Sequence, residues 1–206
     1  MKFDSKESLI LDIYRSQILS FYIKEWGQPE NRWIFKKEND IPLEIYFFPR
    51  KDNDSISRIV TIGIGLISQF KKQKFNFEYL FALPYDFVEK NEEVVVKYLL
   101  DIALHLSKSE AESDIRVISE INIAPNCFLQ KSILVDEARG EAEELADIFI
   151  AEKFNNVALR WVIPVYKDEA DFILKNGIEK FDCLESSSNL SLVDINRNSF
   201  LDTLIN

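Results

Sequence analysis

Apolar residues recur at helical spacing almost from the first residue. Leu11, Tyr14, Ile18, Phe21 and Tyr22 fall on one broad face, Asp4 and Glu7 ahead of them have capping-box spacing, and Gly27 and Pro29 supply a stop. The pattern predicts a helix from Asp4 to Trp26, roughly 33 Å long at 1.5 Å per residue, enough to lie across a whole sheet. Three strand-like segments follow, Pro42 to Pro49, Arg58 to Leu66 and Phe75 to Pro84, rich in Ile, Val, Phe and Tyr and bounded by Pro, Asp, Asn and Ser. Their short intervals suit hairpins, so an antiparallel portion is expected. In the second segment, alternation places Val60, Ile62 and Ile64 on one face and Thr61, Gly63 and Gly65 on the other. A face without bulky side chains accepts a closely packed helix or a ligand, and close packing is the simpler use of glycine.

A second amphipathic helix is predicted from Glu92 to Ser109, with Val95, Leu99, Ile102 and Leu106 on its buried face and Asn91 as N-cap. Ile115 to Pro125 and Cys127 to Val135 read as short strands or ordered loop, DEARGEAEELAD at Asp136 to Asp147 as a short acidic helix, and Asn156 to Tyr166 as a further strand. Pro164 lies near the end of that strand, and a proline is easier to place at an edge or bulge than in a central ladder. The least generic stretch is WVIPVYKDEADFILKNG, Trp161 to Gly177: a strand, a turn, and a helix with Asp168 as its cap and Gly177 as a left-handed stop. The whole order predicts one domain over residues 1–206, an α+β or α/β sandwich whose mainly antiparallel or mixed sheet is flanked by helices, with a short C-terminal extension.

Charge narrows the partners. With 35 acidic against 25 basic residues the formal net charge is -10, which argues against a phosphate backbone as ligand. The basic run KKQK, Lys71 to Lys74, reads as a solvated hairpin connection rather than a binding patch. No run approaches the roughly 20 apolar residues that span a membrane, and the N-terminus lacks a small-residue cleavage site, so a cytoplasmic protein is expected. Cys127 and Cys183 form no metal-spaced pair and are expected to be reduced core thiols.

Candidate chemistry is sparse. The single histidine, His105, sits at one edge of an apolar stripe with no second histidine to complete a metal centre, and neither a phosphate loop nor a nucleophile elbow is present, so no metal or cofactor is expected. Glu169 and Asp171 stand two apart on a predicted helix, a spacing that does not bring them face to face, which favours capping and solvation over paired acid and base catalysis.

The strand-turn-helix stretch also carries a resemblance. IPVYKDEADFILKNGIEKF, Ile163 to Phe181, is similar to the C-terminal signature of the suppressor-of-fused-like domain family through Pro164, Glu169 and Gly177, and VDINR places Asp194 and Arg197 where that family has Asp followed closely by Arg. TIGIG, Thr61 to Gly65, resembles the family's Thr-x-Gly strand, and FEYLFALP resembles its Glu-Leu and Leu-Pro strand through Glu78, Leu80, Leu83 and Pro84. Gly65 replaces a small polar residue, and Tyr85 and Phe87 stand near where a tryptophan is common, the marks of a divergent bacterial-type member. The resemblance implies a compact domain without catalytic residues, whose animal members bind a transcription factor and whose bacterial relatives are thought to neutralise toxins encoded beside them.

The resulting expectation is a non-catalytic, intracellular protein-binding domain, in its most specific form an immunity protein. Asp136, Glu137, Glu141, Glu143, Glu144 and Asp147 would form an exposed helical face that steers a basic toxin, with no direct nucleic-acid or membrane partner. The alternatives are a cytoplasmic enzyme, which would require Glu78, Glu169, Asp194 and Arg197 to converge in one pocket, and a structural scaffold subunit. Within VDINR, Asp194 and Arg197 are expected to pair and pin the C-terminal segment to the strand-helix junction.

Overall fold

The computed structural model describes residues 5–36, 41–50, 55–72, 76–108, 116–152 and 154–204. Helix α1 (Ser5–Trp26) leads into strands β1 (Asn31–Phe35), β2 (Leu43–Phe48) and β3 (Ile56–Ile62), a short helix α2 (Ile64–Phe70), β4 (Phe77–Pro84) and helix α3 (Tyr85–Leu106). There follow β5 (Arg116–Ile118), β6 (Ser132–Glu137), β7 (Ala158–Val165), α4 (Lys167–Asn176) and α5 (Ile178–Ser187), with single 3-10 turns at Glu143–Ala146 and Phe200–Leu204.

The strands form one mixed sheet in the order β1-β2-β3-β4-β7-β6-β5. All described pairings are antiparallel except β4 with β7. Apolar side chains cover both faces. On one, Leu11, Tyr14, Ile18, Tyr22 and Trp26 of α1, Ala170 and Ile173 of α4 and Phe181 of α5 pack on Val60, Leu80, Leu134 and Ile163. On the other, Val95, Leu99, Ile102 and Leu106 of α3 pack on Ile59, Phe81, Ile133 and Val162. This is the expected sandwich, with both long helices lying on the sheet. Among the described residues no helix is long and apolar enough to cross a membrane.

Several local expectations are corrected. The second predicted segment, β3, ends at Ile62, because Gly63 takes φ 123° and turns the chain into α2; Ile64, Gly65 and Leu66 are therefore helical, and KKQK begins after a helix. Helix α3 starts at Tyr85, immediately after Pro84, and Asn91 marks a kink (φ −132°, ψ 19°) where its side-chain amide donates to the Phe87 carbonyl. The acidic stretch is not a helix: Asp136 and Glu137 end β6, and only Glu143–Ala146 form a 3-10 turn. Pro164 sits in an inner strand opposite Ile133. It is tolerated there because the register with β4 stops at Leu80↔Trp161, so no neighbour on that side calls for its missing N–H. Cys127 is half-buried and Cys183 exposed; both are free thiols but neither is a core residue. Asp4, Gln73, Lys74, Phe75, Ser109 and Ile115, which entered the expectations above, lie outside the described residues.

The early end of the β4 and β7 pairing has a geometric consequence. Phe81 to Pro84 pair only with β3 and Val162 to Val165 only with β6, so the sheet splits at the carboxyl ends of its two parallel strands. From there β4 runs into α3 on one face and β7 into α4 on the other. Opposed exits from adjacent parallel strands define a topological switch point, the place where open α/β sheets form a crevice.

Candidate functional site

Four buried carboxylates surround this framework. Glu169, in the first turn of α4, is fully buried and bound by the guanidinium of Arg197 at two points, Nη1 to Oε1 at 2.5 Å and Nη2 to Oε2 at 2.9 Å. It also accepts the backbone N–H groups of Tyr166 and Phe200, each at 2.9 Å. Tyr166, not Asp168, is thus the residue before the helix, and the reaching-back carboxylate of Glu169 satisfies its amide. Asp168 instead accepts the Ser199 hydroxyl at 2.6 Å. The Arg197 guanidinium lies 4.4 Å from the Phe200 ring centroid and 5.6 Å from that of Tyr166, whose hydroxyl donates to the Arg197 carbonyl at 2.7 Å. The expected Asp194–Arg197 pair does not form: Asp194 accepts the Asn196 amide at 2.8 Å and shapes its own turn. Gly177 has positive φ, 89°, but an extended ψ of 161°, so it joins α4 to α5 outside the left-handed helical region.

Glu78 on β4 is the second buried carboxylate. It accepts the hydroxyls of Tyr14 (2.7 Å) and Thr61 (2.6 Å) and the amides of Gly63 (2.8 Å) and Gly65 (3.0 Å). One side chain thereby joins α1, β3, the start of α2 and β4. Burial raises its pKa, outweighing the opposing effect of the donors, and the Tyr14 hydroxyl beside it is pushed well above the usual phenol range, first by burial and then by the Glu78 charge. A Cβ on Gly65 would collide with the Tyr14 hydroxyl. The bare face of Thr61, Gly63 and Gly65 therefore serves close packing and donors for Glu78.

Glu44 was not singled out from the sequence. It is buried in β2 and takes Arg32 at 2.7 and 3.1 Å, Arg15 at 3.0 Å and the Tyr46 hydroxyl at 2.7 Å, fastening α1 and β1 to the sheet. A glutamate inside LEIYFF, where every other residue is apolar, was the available signal, since a charge in a buried strand demands partners. Asp136, the fourth, is held by Arg139, which also lies 2.8 Å from Asp182. Glu141 is half-buried and accepts the indole of Trp26 and the guanidinium of Arg58, each at 2.7 Å. Of the six acidic candidates, Glu137, Glu143, Glu144 and Asp147 are exposed, and Lys24 approaches Glu144 at 3.4 Å.

Glu169 and Arg197 come together, but Glu78 has its own partners and Asp194 is exposed, so the four residues required for a carboxylate-based pocket do not converge. His105 is exposed on α3. Among the described residues no group of three His, Cys, Asp or Glu is arranged to hold a metal. Pro84 and Pro164 stand at the split, one closing β4 and the other in the part of β7 that pairs with β6 alone.

Comparison with known proteins agrees with this frame. The chain has 16% identity with a suppressor of fused homologue from Neisseria gonorrhoeae, covering 91% of this chain and 96% of that one with a TM-score of 0.66. A chain of the Sufu-Fu complex matches at 12% identity and TM-score 0.62, covering 96% and 93%. Suppressor of fused from Drosophila matches at 12% and TM-score 0.60; 95% of this chain is covered, but it spans only 51% of the fly protein. No curated protein matches. The family model of the suppressor of fused protein matches residues 39–198. The chain belongs to the suppressor of fused family.

Proposed function

We propose that the protein is a non-catalytic protein-binding domain that receives an extended partner segment in the crevice between the ends of β4 and β7. The observation that carries this reading is the split in the sheet: two inner strands end with apolar, one-sided ladders at a switch point, where an added segment gains backbone partners as well as pockets for its side chains. Likeness to a protein solved in a Sufu-Fu complex supports a protein as the ligand class. The buried carboxylates are engaged in joining elements, so they are not poised to transfer protons to a substrate.

In its specific form the domain is an immunity protein acting in the cytoplasm on a basic toxin encoded beside it. The exposed Glu137, Glu143, Glu144 and Asp147, on a chain of net charge -10, would speed encounter with such a partner. The test is coexpression with the product of the neighbouring gene, followed by growth rescue, size-exclusion chromatography and hydrogen exchange. A complex that newly protects amides among Phe81–Leu83, Val162, Ile163 and Val165 is expected. Absence of both complex and rescue would remove the immunity reading, and a complex that adds no protection to those amides would remove the crevice.

A further inference from the structure

The C-terminal segment from Leu190 to Phe200 follows an unusual course. Leu192 and Phe200 belong to the core beneath α1, α4 and α5, while Ile195, between them, is buried in the opposite core beneath α3. The segment therefore crosses from one face of the sheet to the other and back. It crosses at the end where β7 finishes and β6 begins: the Gln130 side chain, two residues before β6, donates to the Ile195 carbonyl at 2.9 Å, and Tyr166, just after β7, donates to the Arg197 carbonyl at 2.7 Å. This is the open end of the split.

The strap is held by the buried side chains of Leu192, Ile195 and Phe200 and by hydrogen bonds. Its backbone amides bond within its own turns, Asp194 to Ser191 O and Arg197 to Asp194 O, or to side chains, as Phe200 does to Glu169. Its described bonds to the body run through four residues, Gln130, Tyr166, Asp168 and Glu169. Three of these stand at the start of α4. Arg197 with Glu169 is the one ion pair among them.

We infer that residues 190–200 form a latch over the crevice mouth, released as a unit when the Arg197 to Glu169 pair opens, and that a partner segment must displace it. This rests on the crevice reading above. A segment whose described bonds to the body all involve side chains, without a ladder to either neighbouring strand, can open as a local unit at the cost of exposing Leu192, Ile195 and Phe200.

Native-state hydrogen exchange of the full chain at low urea tests the latch without any partner. The amides of Arg197 and Phe200 are expected to exchange on the order of 100-fold faster than those of Val162 and Ile163, with a shallower urea dependence, since local opening exposes less surface than global unfolding. Equal rates with the same steep urea dependence in both sets would overturn the proposal, because the strap would then open only when the molecule unfolds. Arg197→Ala should make the chain cleavable by chymotrypsin within 190–200 while its far-UV circular dichroism stays folded; cleavage no faster than wild type overturns the latch. If that variant does not fold, Ser199→Ala, which removes the bond to Asp168 and the acceptor for the Leu201 amide, should raise the same cleavage. In a complex with the neighbouring gene's product, strap amides should lose protection, and a strap better protected in the complex overturns displacement. If no such product binds, the urea dependence still decides the latch and only the partner reading falls.

Discussion

Replacing Arg197 by alanine isolates the energetic weight of the junction between α4 and the C-terminal strap. The side chains of Arg197 and Glu169 are 1% and 0% exposed, so solvent screens neither. Removing the guanidinium leaves a buried carboxylate with two amide donors in place of four charge-matched contacts. Breaking one partner out of a buried pair typically costs about 3–5 kcal/mol, mostly the penalty of the charge left behind. For a chain of this size each kcal/mol lowers Tm by about 2–4 °C, so a fall of roughly 6–20 °C is expected in a thermal melt followed by circular dichroism. If the strap opens locally for less than the full cost, the fall is capped at that opening free energy and the strap becomes protease-sensitive. The double variant Arg197→Met, Glu169→Gln removes both charges and should lose less than the sum of its single variants, with a coupling of about 0.5–3 kcal/mol. An Arg197→Ala protein that melts like wild type, with a strap as resistant as before, would refute the assignment of this pair as the fastening.

Glu78 predicts a pH dependence of definite sign. Its folded pKa is raised by burial above the unfolded carboxylate value, so its contribution to stability is fully present below the unfolded pKa and is lost as pH rises through the folded one. Urea midpoints of wild type minus Glu78→Gln should thus shift in favour of wild type from neutral pH to about pH 5, and a difference that moves the other way contradicts this. Gly65→Ala should cost about 1–3 kcal/mol by pushing the Tyr14 hydroxyl off Glu78, despite alanine's better helix propensity. Adding Tyr14→Phe removes the colliding oxygen, so the double variant should be more stable than the two single losses predict; simple additivity in urea denaturation would count against that contact.

The layers and both long helices were legible because periodicity reports burial. Leu11, Tyr14, Ile18 and Tyr22 of α1 and Val95, Leu99, Ile102 and Leu106 of α3 are the buried stripes that the spacing marks. Element ends were less legible where one residue changes the backbone. Gly63 converts an apparently continuous strand into a helix start, and Pro84 begins α3 seven residues before the predicted cap at Asn91. Charge partners were least legible. Proximity in sequence suggested Asp194 for Arg197, yet the tertiary fold brings up Glu169, 28 residues away, since the buried carboxylate has more to gain from a cation than one in solvent. The acidic stretch failed as a helix for the same reason: Asp136 is drawn into β6 by Arg139, and Glu141 is turned inward by Trp26 and Arg58.

The positions of Glu78 and Glu169 follow from the split itself. A sheet whose central parallel strands part company loses ladder bonds where a continuous sheet would be strongest, and the freed ends must be held by something else. Glu78 lies opposite Leu159, at the end where β4 and β7 are still paired, and ties α1, β3 and α2 to that end. Glu169 lies beyond Val165, at the end where they have separated, and ties α4 to the strap. Each satisfies backbone amides with a side chain in a place where no strand can do so. Glu78 and Glu169 are thus fastenings at opposite ends of the β4 and β7 strands, each with its own partners, rather than members of one pocket.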